Sequence, residues 1–530
     1  MQAFAALLDS LVYTRSRHGK LRLIADYLRA TPDPDRGWAL AALTGGLDLK
    51  MVQPKLIREL ITARVDPLLF ALSHDFVGDM AETVALLWPE PPQRQQPPGL
   101  AEVVATLMAV SKAQAPGVVA GLLDRLDAAG RFALLKLSTG SMRIGVSARL
   151  AKTAFAQAFG LEVEAVEEIW HGLAPPYAGL FAWGQGAAER PDPGAAPVFR
   201  PFMLAQPLEG EAIDLADFAA EWKWDGIRVQ IVHVPAAAGG DGQTRLYSRT
   251  GDDITASFPD VAVAFVTHAT LDGELLVRGE SQGGAAASFN ALQQRLGRKA
   301  PPAKLLADAP AFVRLYDALT LGAEDLRDLP WTARRARLEG LLPVLDAFRF
   351  DLSALVEAED FAALGQLRDG ARDAAIEGLM LKRRASPYVA GRKAGLWYKW
   401  KRDPLTADCV LMYAQRGHGK RSSLYSDFTF GAWGPAGELL PVGKAYFGFT
   451  DAELAMLDKW VRGHTIGRFG PVIEVEKALV LEVAFDSVGL SKRHKSGLAM
   501  RFPRVSRIRM DKPAAEADTV EALLRLAASA

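Results

Sequence analysis

Cysteine is nearly missing from this chain: Cys409 is the only one in 530 residues, which excludes a disulfide framework and any cysteine-rich zinc module. Histidine is sparse, and the eight residues from His18 to His494 are scattered with no pair at metal-ligand spacing. No apolar run approaches the ~20 residues that a membrane span needs, and the N-terminus has no signal-peptide pattern. The expectation is a soluble, cytoplasmic protein with no membrane partner. Net charge is absent too: Lys+Arg and Asp+Glu both number 62, so only local charge distribution can point to a polyanionic partner. Internal repeats and low-complexity tracts are lacking. A phosphate loop is also lacking, because Gly417-His418-Gly419-Lys420-Arg421 has the wrong glycine spacing and an arginine where Ser or Thr would hold magnesium.

What is present is ordinary globular composition, 49% hydrophobic and 23% charged, over a length that calls for two to four domains. Residues 1 to about 185 read as helices: Phe4, Leu7, Leu8, Leu11 and Val12, then Val103, Val104 and Leu107, then Leu122, Leu123 and Leu126 recur at three-four spacing. The run PEPPQRQQPPG from Pro89 to Gly99 cannot continue a helix and is expected to be a connection. A second break, Ala187 to Pro201, separates helical from alternating periodicity and marks a domain boundary. Beyond it, strands are expected at Ile227 to Val234, Thr244 to Ser248, Thr270 to Val277 and Phe312 to Leu315, with helices at Trp331 to Leu342 and Phe361 to Arg368. The class is α+β with mostly antiparallel pairing. From Ala407 onward, short strands with Gly-rich turns suit a small barrel, and a surface helix is expected after Pro513.

One stretch suggests chemistry. In Glu221-Trp222-Lys223-Trp224-Asp225-Gly226-Ile227-Arg228, a lysine stands among aromatics at the edge of an alternating strand, followed by Asp-Gly and an arginine. Downstream come, in order, Ser248-Arg249-Thr250-Gly251, Leu271-Asp272-Gly273-Glu274-Leu275, Leu315-Tyr316-Asp317, Ile376-Glu377-Gly378-Leu379-Met380-Leu381-Lys382, Trp397-Tyr398-Lys399-Trp400-Lys401, Arg501-Phe502-Pro503-Arg504 and Arg507-Ile508-Arg509-Met510-Asp511-Lys512. The ordered set resembles the covalent nucleotidyltransferase superfamily, and in detail its ATP-dependent DNA ligases. Upstream, Leu137 to Ser147 (LSTGSMRIGVS) resembles the turn by which the helical domain of such ligases meets the DNA minor groove.

The resemblance implies a helical DNA-binding domain (1–186), a linker (187–200), an adenylation domain (201–403) and an OB-fold barrel (404–530), together encircling nicked double-stranded DNA as a monomer. It makes Lys223 the nucleophile that carries AMP from ATP. Glu221 would read the adenine amino group, Tyr316 and Met380 would sandwich the ring, and the family more often has Phe where Tyr316 stands. Glu274 would hold the ribose and, with Glu377, a magnesium or manganese ion, a hard cation that takes few protein carboxylates. Arg249 would hold a phosphate, and Arg228 would sit by the ribose and the nick. Lys399 and Lys401, two apart on a strand, share a face and would clamp the phosphate chain. Arg509, Asp511 and Lys512 would act in self-adenylation from a mobile lid. DNA phosphates would meet Arg143 and Gly145, Arg295 and Arg298, and Lys420 and Arg421. Between Lys492 and Lys512, eight basic residues face one acid, Asp511, which reads as an electrostatic footprint for DNA. The rivals are an RNA ligase, a capping guanylyltransferase, an NAD-dependent ligase, which a single cysteine disfavours, and a non-catalytic DNA-end-binding protein, which would have lost Lys223, Glu377 or Lys399.

Overall fold

The computed structural model describes the chain except residues 48, 50, 51, 94, 141, 143, 195, 211, 212, 237–241, 279–291, 293, 294, 299, 372–375, 418–423, 492, 493, 529 and 530. It divides into two compact units, each assembled from three chain segments: Met1–Gln206, Gly226–Ser353 and Lys382–Trp397 form one, and Pro207–Asp225, Ala354–Leu381 and Tyr398–Ala530 form the other.

The first unit begins with helices from Gln2–Tyr13 to Ala178–Gly184. The three-four pattern appears as a single core running from Met1 to Phe181 and including Phe4, Leu8, Val103, Leu107, Leu123 and Phe155. Local chemistry sets the helix starts: Ser16, Asp66, Asp79, Asp127 and Ser147 each accept hydrogen bonds from backbone N–H groups of the first turn. Among the described residues between Leu87 and Leu100 there is no helix, as the prolines require.

The same unit contains a sheet in which Gln243–Ser248, Ile227–Val234, Ala269–Val277 and Ala311–Leu321 lie side by side and antiparallel. Phe350–Leu352 joins its edge in parallel. Alternation gives the sheet two characters. Val229, Ile231, Leu271 and Leu275 fill the core, whereas Arg228 pairs with Glu274 and Gln230 with Asp272 on the opposite face.

In the second unit, Phe218–Trp224, Ile376–Arg383 and Trp397–Lys401 are neighbours in one sheet. They pack through Phe218, Ala220, Leu379 and Leu381 on Leu364 of the helix Phe361–Gly370. A larger sheet is centred on Leu405–Arg416. Tyr425–Trp433 pairs along one edge, and Val480–Phe485 and Val472–Val475 divide the other. Leu439–Ala445, Thr465–Phe469 and Arg504–Arg509 extend it. A helix, Asp451–Gly463, that strand patterning does not anticipate opens on a complete capping box: the Thr450 hydroxyl accepts from Glu453 N–H, and the Glu453 carboxylate accepts from Thr450 N–H. The last helix, Val520–Ala528, is more than surface cover, because Val520 and Leu523 are buried in the core of this sheet.

Candidate active site

Lys223 lies near the end of Phe218–Trp224, a strand whose first four residues are buried and whose last three are partly open. Glu221, two residues earlier, is 1% exposed. The Lys223 ammonium forms a close ion pair with Glu377, and Lys401 Nζ reaches the same carboxylate at 3.2 Å. Three adjacent strands thus supply a lysine, a glutamate and a second lysine. Burial alone would raise the Glu377 pKa, but the two ammonium groups outweigh it and hold the carboxyl below its ordinary value.

This meeting depends on Gly378. Its φ is 144°, and a Cβ there would stand 2.3 Å from the Trp400 carbonyl oxygen. The residue after Glu377 must therefore be glycine if the strand is to lie this close to Trp397–Lys401. In the latter strand Lys399 is partly open and Lys401 exposed, while the Trp400 ring stacks on Phe361 at 4.5 Å and carries the Arg368 guanidinium at 4.3 Å. Met380 is half-buried.

Arg228, Glu274 and Tyr316 come from the sheet of the first unit. Gly226 permits the approach of neighbouring strands, since a Cβ there would meet Leu275 O at 2.5 Å and Glu274 Cγ at 2.7 Å. Glu274 is partly open and stands in register with Arg228 and Arg314. Tyr316 occupies a β-bulge: Gly273 pairs with Leu315 and Asp272 with Asp317, leaving Tyr316 as the extra residue. One Tyr316 ring contact is the ammonium of Lys382, 4.5 Å from the centroid; Lys382 is itself buried and also lies over Trp397.

The Arg228 guanidinium donates to Met203 O at 2.7 Å and to Asp272 at 3.1 Å, and stacks over Phe202 at 4.2 Å. Burial disfavours its charge, but Tyr316, Tyr388 and Asp272 overcome this and raise its pKa. Asp272 is fully buried and also accepts from the Tyr388 hydroxyl and from Gln230. Arg249 is exposed in a turn tied by Ser248, Thr250 and Asp252.

Models of two protein families match the chain: the ATP dependent DNA ligase domain over residues 202–401 and the ATP dependent DNA ligase C terminal region over residues 421–512. The similarity extends through the helical half. A probable DNA ligase of Koribacter versatilis is 32% identical, with 98% of this chain and 95% of the relative aligned. The chain belongs to the ATP-dependent DNA ligases. DNA ligase 1 of Korarchaeum cryptofilum is 33% identical over 98% of this chain and 97% of its own. The solved structure Pmar-Lig_PreS3 shares the fold at a TM-score of 0.58 and 15% identity, covering 96% of this chain and 99% of that one. Membership implies ATP and DNA as substrates of this ligase and a divalent metal as its cofactor.

The remaining expected residues of the ligase meet varied surroundings. Arg509 is paired with Asp511 at 2.9 Å and approaches Asp408 at 3.4 Å, while Lys512 reaches Asp408 at 2.7 Å. Asp408, missed in the sequence because it lies a hundred residues upstream, joins both cations. The basic run is less bare than its local composition implies. Arg501 is ion-paired with Asp225, Arg504 with Asp486 at 3.3 Å, and Lys401 stands 4.0 Å from Asp486. With Arg509 and Lys512, four of the six described cations of the run have carboxylate partners, and three of those carboxylates come from elsewhere in the chain. Arg295 does not face DNA: it is 0% exposed, donates to Ala309 O at 2.8 Å and pairs with Asp260, so it holds the fold together. Its neighbour Arg298 is exposed. Gly145 has a φ of 68°, and Lys20 Nζ donates to its carbonyl oxygen at 2.8 Å. Arg143, Lys420 and Arg421 lie outside the described residues. Tyr388, Asp272 and Lys382 touch Arg228 or Tyr316 and carry no expected role, although Asp272 and Lys382 stand inside the ordered motifs.

Proposed function

We propose that this ligase seals nicks in duplex DNA through a lysyl-AMP intermediate on Lys223. The neutral Lys223 amine attacks the α-phosphorus of ATP, a P–N bond forms and pyrophosphate leaves. AMP then passes to the 5′-phosphate of the nick, and attack by the 3′-hydroxyl closes the strand and releases AMP. The observation that carries this reading is the shared carboxylate: Lys223 and Lys401 meet at Glu377 on three adjacent strands.

The residue roles follow the family motifs. Glu221 reads the adenine amino group from a buried position, with Tyr316 and Met380 on the two faces of the ring. Glu274 holds the ribose, Arg228 stands beside it, and Arg249, Lys399 and Lys401 hold phosphate oxygens as charge develops in transfer. No group of three or more His, Cys, Asp or Glu among the described residues could cage a metal. Magnesium keeps its waters and substrate phosphates and takes one or two protein carboxylates, and Glu377 and Glu274 would be those donors. A cation there would offset phosphate charge. A cation held there would draw Glu377 away from Lys223, whose uncharged amine is the nucleophile. Arg509, Asp511 and Lys512 orient pyrophosphate in the first step.

At the scale of domains, 1–186 serves as the helical DNA-binding domain, 187–200 as linker, 201–403 as the adenylation domain and 404–530 as an OB-fold barrel that closes with them around DNA as a monomer. The strand pattern after residue 404 and the separate core of residues 1–181 support these divisions. The test is incubation with magnesium and α-labelled ATP. Acid-labile, base-stable label appears on the wild type and is absent from Lys223→Ala; a Lys223→Ala protein that still takes label refutes the assignment. Nicked DNA then discharges the label, and nicked RNA does not.

A further inference from the structure

The helix Pro67–Val77 (PLLFALSHDFV) is apolar nearly all round, which is the pattern of a helix buried on every side. Only Phe70 is buried. Leu72 is 61% exposed and Phe76 83%, and Leu68, Leu69 and, from the next helix Met80–Leu87, Leu86 are exposed as well. Leu68, Leu72 and Phe76 repeat every four residues and so form one stripe. Between the two helices lies a groove of about 360 Å³ lined by Leu72, Phe76, Val77, Thr83, Leu86 and Leu87. A contiguous apolar surface of this kind on a soluble protein marks an interaction site.

Charge identifies the occupant. From Val65 to Leu87 there are four acids, Asp66, Asp75, Asp79 and Glu82, and no Lys or Arg. Asp66, Asp75 and Glu82 are exposed, while Asp79 is neutralised by Lys136 at 2.5 Å. The nearest cations on the preceding segment, Arg58 and Arg64, are exposed and lie over the Phe70 and Trp88 rings, outside the groove lining. An acid-rimmed apolar face repels nucleic acid phosphates, and a second copy of the chain would bring the same acids to it. We propose that this groove docks a basic amphipathic helix of a partner protein, with apolar anchors entering between the two helices and Lys or Arg meeting Asp66, Asp75 and Glu82.

The test uses the full-length ligase and a fluorescein-labelled 18-residue Leu/Lys peptide with its leucines on one helical face, followed by anisotropy. The peptide should bind, and its affinity should fall at least about tenfold with Phe76→Ser, as for loss of one buried aromatic anchor. Asp75→Lys with Glu82→Lys should weaken it comparably, and a Leu/Glu peptide of the same pattern should bind at least about tenfold less. Both variants alter exposed side chains, and their nick-sealing rate should equal that of the wild type. The proposal is overturned if the Leu/Lys peptide does not bind, if both peptides bind alike, or if Phe76→Ser leaves binding intact. It is equally overturned if sedimentation shows a dimer that Phe76→Ser dissolves, which makes the occupant a second copy. Displacement of the peptide by nicked duplex, or a loss of sealing in Phe76→Ser, assigns the face to DNA instead.

Discussion

Lys223 and Lys401 lean on one carboxylate, so a change at Glu377 reaches both. Glu377→Gln leaves two ammonium groups without their counter-charge and removes a hard oxygen donor; self-adenylation should fall by at least about a hundredfold, the scale of losing one electrostatic group aimed at the reacting centre, as measured by label transfer from ATP. The pH dependence has a definite sign. The folded pKa of Glu377 lies below the ordinary 4.5, so its contribution to stability is complete above that value and is lost as pH falls through the lowered one. Lys401→Met removes part of the depression and should shift the acid-unfolding midpoint upward. Tyr388→Phe deletes the hydroxyl that donates to buried Asp272 and should cost about 1–3 kcal/mol of stability in urea titration, the range for a buried acceptor left short of a donor. Several of these residue facts could be read directly: the lysine, both glutamates and the lysine pair stand in ordered motifs. The partners could not, because Asp408, Asp225 and Asp486 lie far in sequence from the arginines and lysine they neutralise. The burial of Arg295 was hidden for the same reason, since its partner Asp260 lies in a short helix 35 residues upstream.

Strand positions in the sheet around Ile227–Val234 were legible because alternation is a local signal with a period of two. The bulge at Tyr316 was not, because register belongs to the pairing of two strands and leaves no mark within either. Gly378→Ala probes a comparable dependence. With its Cβ 2.3 Å from a backbone oxygen at a φ of 144°, the strand must move away from Trp397–Lys401, and AMP labelling should drop by at least about tenfold even in molecules that remain folded by circular dichroism, since small misplacements of catalytic groups are costly. The helix Asp451–Gly463 offers the opposite lesson. Its Thr-x-x-Glu box was visible in the sequence, yet the expectation of short strands covered it. Thr450→Ala should destabilise the protein by about 1 kcal/mol, the usual value of an N-cap, detectable as a shift in the urea midpoint.

Across the whole molecule, equal numbers of acids and bases conceal where DNA would be held, and a phosphate-dominated interface predicts that the logarithm of the affinity for nicked duplex falls linearly with log salt in a binding titration. Stability should respond to pH near neutrality through the first unit. His171 packs on the Tyr247 ring at 4.3 Å, and burial, aided by Lys152, lowers its pKa to about 4 from 6.5. The folded state favours its neutral form, so stability is full above pH 6.5 and declines as pH falls toward about 4, by roughly 3 kcal/mol in all. His171→Gln should flatten that slope in thermal melts taken across the range. Among the described residues no helix is long and apolar enough to cross a membrane.

Both units are interleaved along the chain, with five crossings between Gln206 and Tyr398, and the small core of the second draws Phe218, Leu364, Leu379 and Leu381 from separate visits. No contiguous fragment can therefore contain one unit without part of the other. A cut at any crossing divides at least one unit, but the first, after Gln206, leaves the helical core whole on one piece, so the helical region is the place to seek a fragment that survives expression alone.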